Sequence, residues 1–321
     1  SAAYGFNSAH AYCMAIDSVT IAYLKAHYPL EFYKCVLQRF TDKGEKDKVA
    51  LIKQEMLKRG YKLKDIQFGD DNRSFNIDRA NNCIVQTMAS IKDMPKSAPE
   101  ALYELGKSDI KNRAALYQAL MDDPRINKKA IEILFHLGYF NKFAQPNRLI
   151  TEYEIYQKYI SAKVLTKSSF DDIIIDVIRP CCGKETEKQF REIDNKALIT
   201  ALIKQANIKP TTIVDRIKWQ LEYLGYCTVS DPNSDPNDWL VLDVKTTGYG
   251  TVYITGYNLC YGAERTYRAN KKFWTNHQLS KGDVIRAVLQ EKNKMKKDEN
   301  GEWVVLSETY QEMKVWKKLE V

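Results

Sequence analysis

The sequence predicts an α+β, multidomain chain whose first two thirds are mostly helical and whose end is a small β-barrel. Three observations lead there. Apolar residues recur at helical spacing over much of the stretch up to Tyr226. Asp231-Pro232-Asn233-Ser234-Asp235-Pro236 then reads as a linker by composition. Beyond it, five short runs rich in β-branched and aromatic residues alternate with turn signals, the texture of a small barrel. With 321 residues the chain is long enough for two or three separate cores.

Met14, Ile21 and Leu24 mark the first helix, and Pro29 forces a break by biasing Tyr28 away from helical geometry. A second helix is expected to bury Phe32, Val36 and Phe40 on one side. Val49, Ile52 and Met56 mark a third, closed by Gly60, which tolerates the left-handed cap conformation. Residues 74–78 and 83–87 read as a hairpin around Arg79-Ala80-Asn81-Asn82. Small helical hairpins follow. Ser97-Ala98-Pro99-Glu100 has the form of a capping box, with proline tolerated where first-turn amides lack partners anyway. Asn127 starts a further helix that ends at Gly138, with Ile126 and Ile131 spaced for a hydrophobic staple. Residues 146–226 look helical and charged, interrupted by Pro180 and Gly183. The barrel strands are expected at 239–245, 251–257, 264–271, 283–291 and 303–310, with Asp298-Glu299-Asn300-Gly301 turning between the last two.

Composition narrows the function. Hydrophobic residues make up 44% and charged residues 28%, ordinary for a globular protein. No apolar run approaches the roughly 20 residues of a membrane span, and the amino terminus lacks the basic-then-apolar order of a signal peptide. Seven cysteines at irregular spacing, none in a C-x-x-C pair, suggest neither a disulfide framework nor a zinc site, so a reducing cytoplasm fits. The adjacent Cys181 and Cys182 read as core or surface thiols. A net charge of +8 suits a polyanionic partner without proving one.

Tyr4-Gly5-Phe6-Asn7-Ser8-Ala9-His10, followed by Ala22-Tyr23-Leu24-Lys25-Ala26-His27-Tyr28-Pro29 and Glu31-Phe32, resembles the bacterial replicative DNA polymerases of family C. Their fingers domain reads F-N-K-S-H and then Y-L-K-A-H-Y-P-x-E-F. Ser8 and Ala9 depart from that pattern, so no phosphate contact carries over to position 8. The likeness continues in order. Met56-Leu57-Lys58-Arg59-Gly60 is similar to a basic stretch of the family, and Ile91-Lys92-Asp93-Met94-Pro95 stands where the family has a helix-hairpin-helix reading I-K-G-V-G. Asn127 to Phe140 is similar to a helix closing in G-A-F-D. Trp219 to Tyr226 is similar to the E-x-x-L-G-x-Y element before an oligonucleotide-binding (OB-fold) barrel. Residues 146–215 are the least similar.

The resemblance implies three parts: the end of the fingers at 1–90, a helix-hairpin-helix and clamp-binding-like region at 91–230, and an OB-fold at 236–321. Function would then be that of a carboxy-terminal fragment of a DNA-directed DNA polymerase, working with primer–template duplex, single-stranded template and deoxynucleoside triphosphate. Sliding-clamp and other replisome contacts belong to the same expectation, although no convincing clamp-binding peptide is visible. Such polymerases hold two magnesium ions between palm carboxylates in a D-x-D pattern, whose alternate residues share one strand face. No D-x-D occurs here. Asp70-Asp71, Asp122-Asp123 and Asp171-Asp172 are adjacent pairs whose side chains diverge. No catalytic residue and no bound cofactor is therefore expected in this chain, with Mg2+ in the missing palm. A stand-alone DNA- or RNA-binding accessory protein is the alternative.

Phe6, Asn7 and His10 are expected near the nucleotide and primer end; a histidine in a helical packing face is the plain alternative for His10. At the hairpin, Asp93 and Pro95 replace glycines and so should not allow a close backbone approach to phosphate, leaving Lys92 and Lys96 as flexible charges. In the barrel, Tyr249, Tyr253, Tyr257, Tyr261, Tyr267, Phe273 and Trp274 interleave with Arg265, Arg268, Lys271 and Lys272. Aromatic faces stack bases while cations follow the backbone. Alternation puts only half of those rings on any one side. Lys292, Lys294, Lys296 and Lys297 crowd the position of a binding loop, where the plain reading is a solvated face.

Overall fold

The computed structural model describes residues 8–248, 250–269, 279–297, 299 and 301–319. They fall into two compact units, residues 1–211 with 222–226 and residues 212–221 with 227–321.

The first unit begins with three helices: α1 (Ser8–His27), α2 (Pro29–Asp42) and α3 (Lys46–Lys58). Tyr28, held out of helical geometry by the proline after it, separates α1 from α2 at φ −133° and ψ 57°. The buried side of α2 is Leu30, Tyr33 and Leu37, with Phe32 and Phe40 only partly covered. The face is thus turned from the expected Phe32–Val36–Phe40 line, because Val49 and Met56 of α3 and Phe75 and Ile84 share the core with Tyr33 and Leu37. Gly60 takes φ +83°, as a glycine after a helix does. The hairpin is present as β2 (Asn76–Asp78) and β3 (Cys83–Val85), paired antiparallel. A third strand unforeseen from sequence, β1 (Lys62–Lys64), runs parallel to β3. Three residues are too few for a readable alternation.

Lys53 of α3 is 1% exposed, in the midst of this unit's core. Its ammonium donates to Gln86 Oε1 at 2.9 Å and Ser90 Oγ at 2.8 Å. The rings of Phe75 and Tyr226 lie 5.4 and 5.2 Å away.

The hairpin region contains α4 (Ala98–Gly106), α5 (Arg113–Asp122), α6 (Lys128–His136) and α7 (Pro146–Tyr159). The capping box at Ser97 does not form. Ser97 sits at φ −80°, ψ −21°, already helical rather than extended, and its hydroxyl donates instead to the Arg125 carbonyl. Glu100 pairs with Arg73 at 3.2 Å. Asn127 does cap α6, accepting from the Ala130 amide at 2.8 Å, and Ile126 and Ile131 are both buried.

The stretch from 146 to 226 is not simply helical. After α7 comes a three-stranded antiparallel sheet of β4 (Val164–Thr166), β5 (Cys182–Glu185) and β6 (Gln189–Ile193), in the order β4-β6-β5. Its strands expose most of their charged residues and bury chiefly Leu165 and Phe190, so their composition imitates a solvated helix. The helices here are α8 (Asp172–Ile178), α9 (Asn195–Gln205) and α10 (Ile213–Leu224).

The second unit is a closed five-stranded barrel. Its strands are β7 (Asp238–Thr246), β8 (Val252–Asn258), β9 (Ala263–Ala269), β10 (Val284–Lys297) and β11 (Trp303–Leu319). Around the barrel the order is β7-β8-β9-β11-β10 and back to β7. Neighbours pair antiparallel except β9 with β11, which are parallel. Period-two alternation sends Val241, Ile254, Ile285 and Met313 inward, each fully buried. Val214 and Ile217 of α10 pack with Leu240, Tyr257 and Val284 in a second cluster. Arg286 makes a forked contact with Asp238 at 2.7 and 2.9 Å across the β10–β7 seam. Beyond the barrel, β10 and β11 continue as a two-stranded arm whose register runs to Lys297 opposite Trp303.

Candidate nucleic-acid interface

The barrel pairing decides which aromatic and basic residues share a face. On β8 and β9, Tyr253 stands directly opposite Arg268 and Thr255 opposite Thr266, whose hydroxyls are 2.8 Å apart. Tyr253, Thr266 and Arg268 are exposed, while the intervening Val252 and Ile254 are buried in the core. Alternation therefore removes Tyr267 from the exposed set. Its ring is half-buried, edge-on to Trp239 with centroids 5.7 Å apart. Tyr257 is buried, and its hydroxyl donates to the Val229 carbonyl at 2.7 Å, so it serves the fold. Arg265 is exposed, paired in register with Gly256 on the alternate face from Arg268. Tyr261 stands alone in the β8–β9 turn, 70% exposed.

Against the Tyr253–Arg268 face lies the arm. Together they enclose a groove of about 840 Å³ lined by Tyr253, Arg268, Lys294, Met295, Trp303 and Tyr310, among others. The Arg268 guanidinium is 5.2 Å from the centre of the Tyr310 ring, and the Lys297 ammonium is 5.6 Å from that of Trp303. Trp303 is 62% exposed and Met295 53%, unusual for such side chains unless something covers them. The lysine run divides. Lys292 is paired with Glu312, and Lys294 with Glu308 at 2.7 Å. Lys296 and Lys297 are exposed and face no carboxylate among the described residues. Trp303 and Tyr310 were not expected here. Folding the lysine run onto the following strand across the Asp298–Gly301 turn would have exposed the signal, because that register sets Lys297 opposite Trp303 and Lys292 opposite Tyr310.

The expected barrel residues Tyr249, Lys271, Lys272, Phe273 and Trp274, and Phe6 and Asn7 of the amino-terminal motif, lie outside the described residues. His10 is exposed on α1, a helix with no buried residue. Lys92 and Lys96 are both exposed and flank a tight turn. Asp93 adopts φ +58°, the left-handed conformation that glycine usually supplies, so the loss of glycine has not opened the turn. Ile91 and Met94 are buried beneath it, the Ile91 carbonyl accepts from Lys46 Nζ at 2.7 Å, and the Lys92 amide donates to the Tyr223 carbonyl at 3.0 Å.

The acidic pairs all have local partners. Asp70 meets Lys64 and Asp71 meets Arg73, each at 2.8 Å. Asp122 accepts from Gln118, Asp123 from Arg125, and Asp171 caps α8 through the Ile174 amide. Among the described residues no three His, Cys, Asp or Glu side chains converge as metal ligands, and no helix is long and apolar enough to cross a membrane. Cys181 is buried and Cys182 half-buried, both as free thiols.

Comparison with known proteins finds relatives of this chain in several bacteria. They are DNA polymerase III alpha subunits: that of Campylobacter jejuni is 28% identical over 144 residues, that of Thermus aquaticus 29% over 158, and that of Haemophilus influenzae 30% over 155. These matches cover 44%, 47% and 46% of this chain and 12% of each relative. The expected resemblance to the DNA polymerase III alpha subunit is thus found, over less than half of this chain and a small part of the relatives' length. No family model matches the chain.

Proposed function

We propose that this chain is a DNA-handling part of a replicative polymerase alpha subunit, and that its barrel is an OB-fold holding single-stranded template in the groove between β8–β9 and the arm. The observation that carries the reading is that groove: Tyr253, Trp303 and Tyr310 offer ring surface, Arg268 offers charge beside Tyr310, and Lys297 beside Trp303 and the neighbouring exposed Lys296 add charge at its end. The OB-fold reading is supported by strand order, since a five-stranded barrel running 1-2-3-5-4 with a parallel 3–5 pair presents its 2–3 face and its 4–5 loop to oligonucleotides. Bases would stack on the rings whatever their identity, while the cations follow the phosphates.

The turn at 91–97, with Lys92 and Lys96 outward, would contact duplex backbone without reading sequence. His10 would lie toward the nucleotide and primer end. Polymerisation would rest on carboxylates and Mg2+ in a palm supplied from outside this sequence, and any clamp contact would likewise belong to the assembled enzyme.

The test is anisotropy of the full chain with labelled oligo-dT across a salt series. If three or four phosphates are met, log affinity should fall against log salt with a slope of roughly −2 to −3, at about 0.7 per phosphate for single strands. Replacing Arg268, Lys296 and Lys297 together by alanine should flatten that slope. Trp303→Ala should leave the slope alone and weaken binding by about 5- to 150-fold, the worth of one stacked base. A triple variant with unchanged slope and affinity would reduce this face to solvated charge.

A further inference from the structure

A second cleft, in the first unit and far in sequence from the barrel, is framed by α5, α7 and α9 and encloses about 730 Å³. Its floor is apolar: Phe143, Ile160, Ile199 and Ile203 join the rings of Tyr117 and Tyr156. Its rim is basic, with Lys111, Lys142 and Lys196 all exposed. The DNA-handling reading uses none of these residues.

The polar atoms at the floor are already satisfied. The Tyr117 hydroxyl donates to Glu152 Oε2 at 3.0 Å and that of Tyr156 to Gln118 Oε1 at 2.9 Å. Glu152, almost wholly buried, also accepts from Arg113 at 2.6 Å and Arg148 at 2.8 Å. Asn112 Oδ1 is engaged by the Ala115 amide as the α5 cap, and the Thr200 hydroxyl donates to the Lys196 carbonyl. What remains facing the cleft is mostly methyl groups and ring edges, with the Asn112 amide nitrogen and Thr200 at its margin. Tyr117 packs against Tyr153 and Tyr156, with centroids 5.7 Å apart in both cases, so neither Tyr117 nor Tyr156 offers an open face for a base.

The rim, by contrast, has charge to give. Lys111 meets only Asp109, at 3.4 Å and with both side chains largely in water, a pair worth little. Lys142 leans over Phe143 at 5.0 Å, and neither it nor Lys196 meets a carboxylate among the described residues. The one acid in the cleft is outnumbered by its two arginines. An apolar floor with few free hydrogen-bonding groups does not read nucleobases, whereas a lone apolar side chain between carboxylates matches it in shape and sign.

We propose that this cleft docks a short acidic peptide segment of a partner protein, with one aromatic or branched aliphatic side chain on the floor and flanking carboxylates at Lys111, Lys142 and Lys196.

The probe is a fluorescein-labelled peptide of one phenylalanine with three aspartates on each side, titrated with the full chain and followed by anisotropy. Saturable binding is expected. It should weaken by about tenfold or more when Lys142→Glu and Lys196→Glu are combined, and by a similar factor when alanine replaces the peptide's phenylalanine. Thr200→Trp, a change at an exposed position on the rim, should fill the cleft and abolish binding while the circular dichroism melt stays in place. Trp303→Ala should leave peptide binding untouched, which separates this site from the barrel groove. Absence of saturable binding would overturn the proposal, as would full binding by the double variant. Displacement of the peptide by oligo-dT, with oligo-dT binding itself weakened by the double variant, would also overturn it and make the cleft a nucleic-acid site.

Discussion

Lys53→Met offers a measurement in which the sign, the size and the pH window all come from one buried group. Burial pushes the Lys53 ammonium down to about 7, against a smaller opposing pull from Asp65. In the unfolded chain the same lysine titrates near its ordinary value of about 10.4. Between those two values the unfolded state holds one more proton than the folded state, so stability rises with pH across the window. The slope approaches about 1.4 kcal/mol per pH unit, and because the folded group is half-titrated at the start, the gain from pH 7 to 9 is roughly 2 kcal/mol. Methionine preserves the length of the side chain and cannot titrate, so the variant should lose this rise. It will also be offset at every pH, because Gln86 and Ser90 lose their donor; the slope is the test and the offset is not. Urea denaturation at pH 7, 8 and 9 should be followed by circular dichroism and tryptophan fluorescence together. All five tryptophans fall at positions 219 to 316, within the sequence ranges of the second unit, so fluorescence reports on that unit while the helical signal reports mainly on the unit that holds Lys53. Parallel pH slopes in wild type and variant would show that Lys53 keeps a wet, ordinary ammonium.

The two candidate caps should separate cleanly in urea: Asn127→Ala should cost about 1 kcal/mol and Ser97→Ala only a few tenths, because only Asn127 bonds the first turn of its helix. Glu152→Gln should destabilise the first unit by about 2 kcal/mol, less than a fully buried pair because both guanidiniums reach solvent. Burial raises the Glu152 pKa, but the bonds from Arg113, Arg148 and Tyr117 outweigh it and leave it lowered, so its contribution should persist above the ordinary glutamate range and fade as pH falls below it. The same Glu152→Gln variant should lack that acid-side loss in a denaturation series from pH 6 to 3. The purified chain should give no templated primer extension in a gel assay with Mg2+ or Mn2+, and extension that is lost on mutating one of its own acidic pairs would contradict the structural roles assigned to them.

Where sequence reasoning succeeded, local chemistry was decisive. Pro29, Gly60, Asn127 and Gly138 each act on the backbone within a few residues of themselves, and the barrel strands alternate long enough to be read. It failed where the outcome depended on partners distant in the chain. Ser97 has the right letter for a cap, but the Arg125 carbonyl, 28 residues on, takes its hydroxyl. The short strands around Phe190 carry too few buried residues to reveal a period of two. Lys53 had no signal at all, since nothing in a helical window announces that Gln86, Ser90 and Tyr226 will close over it. For the candidate site, the basic and aromatic composition was visible, but the membership was not. Strand pairing buried Tyr257, left Tyr267 half-buried at the edge of the groove, and supplied Trp303 and Tyr310 from the following strand.

The arm beyond the barrel has one further consequence. A closed barrel leaves no strand edge open, yet β10 pairs with β7 only through Val284–Arg286, and its remaining length has only β11 beside it among the described residues. That is a long, β-prone edge, and the arm it borders exposes Met295 on β10 and Val304 and Val305 on β11, the kind of surface on which a second chain would add a strand and begin a fibre. Lys296 and Lys297, which meet no carboxylate among the described residues, make such stacking bring like charges together, strand upon strand. The same residues that would attract a phosphate backbone therefore keep copies of the protein apart, and substituting them to abolish binding is expected to bring turbidity at concentrations where the parent chain stays clear.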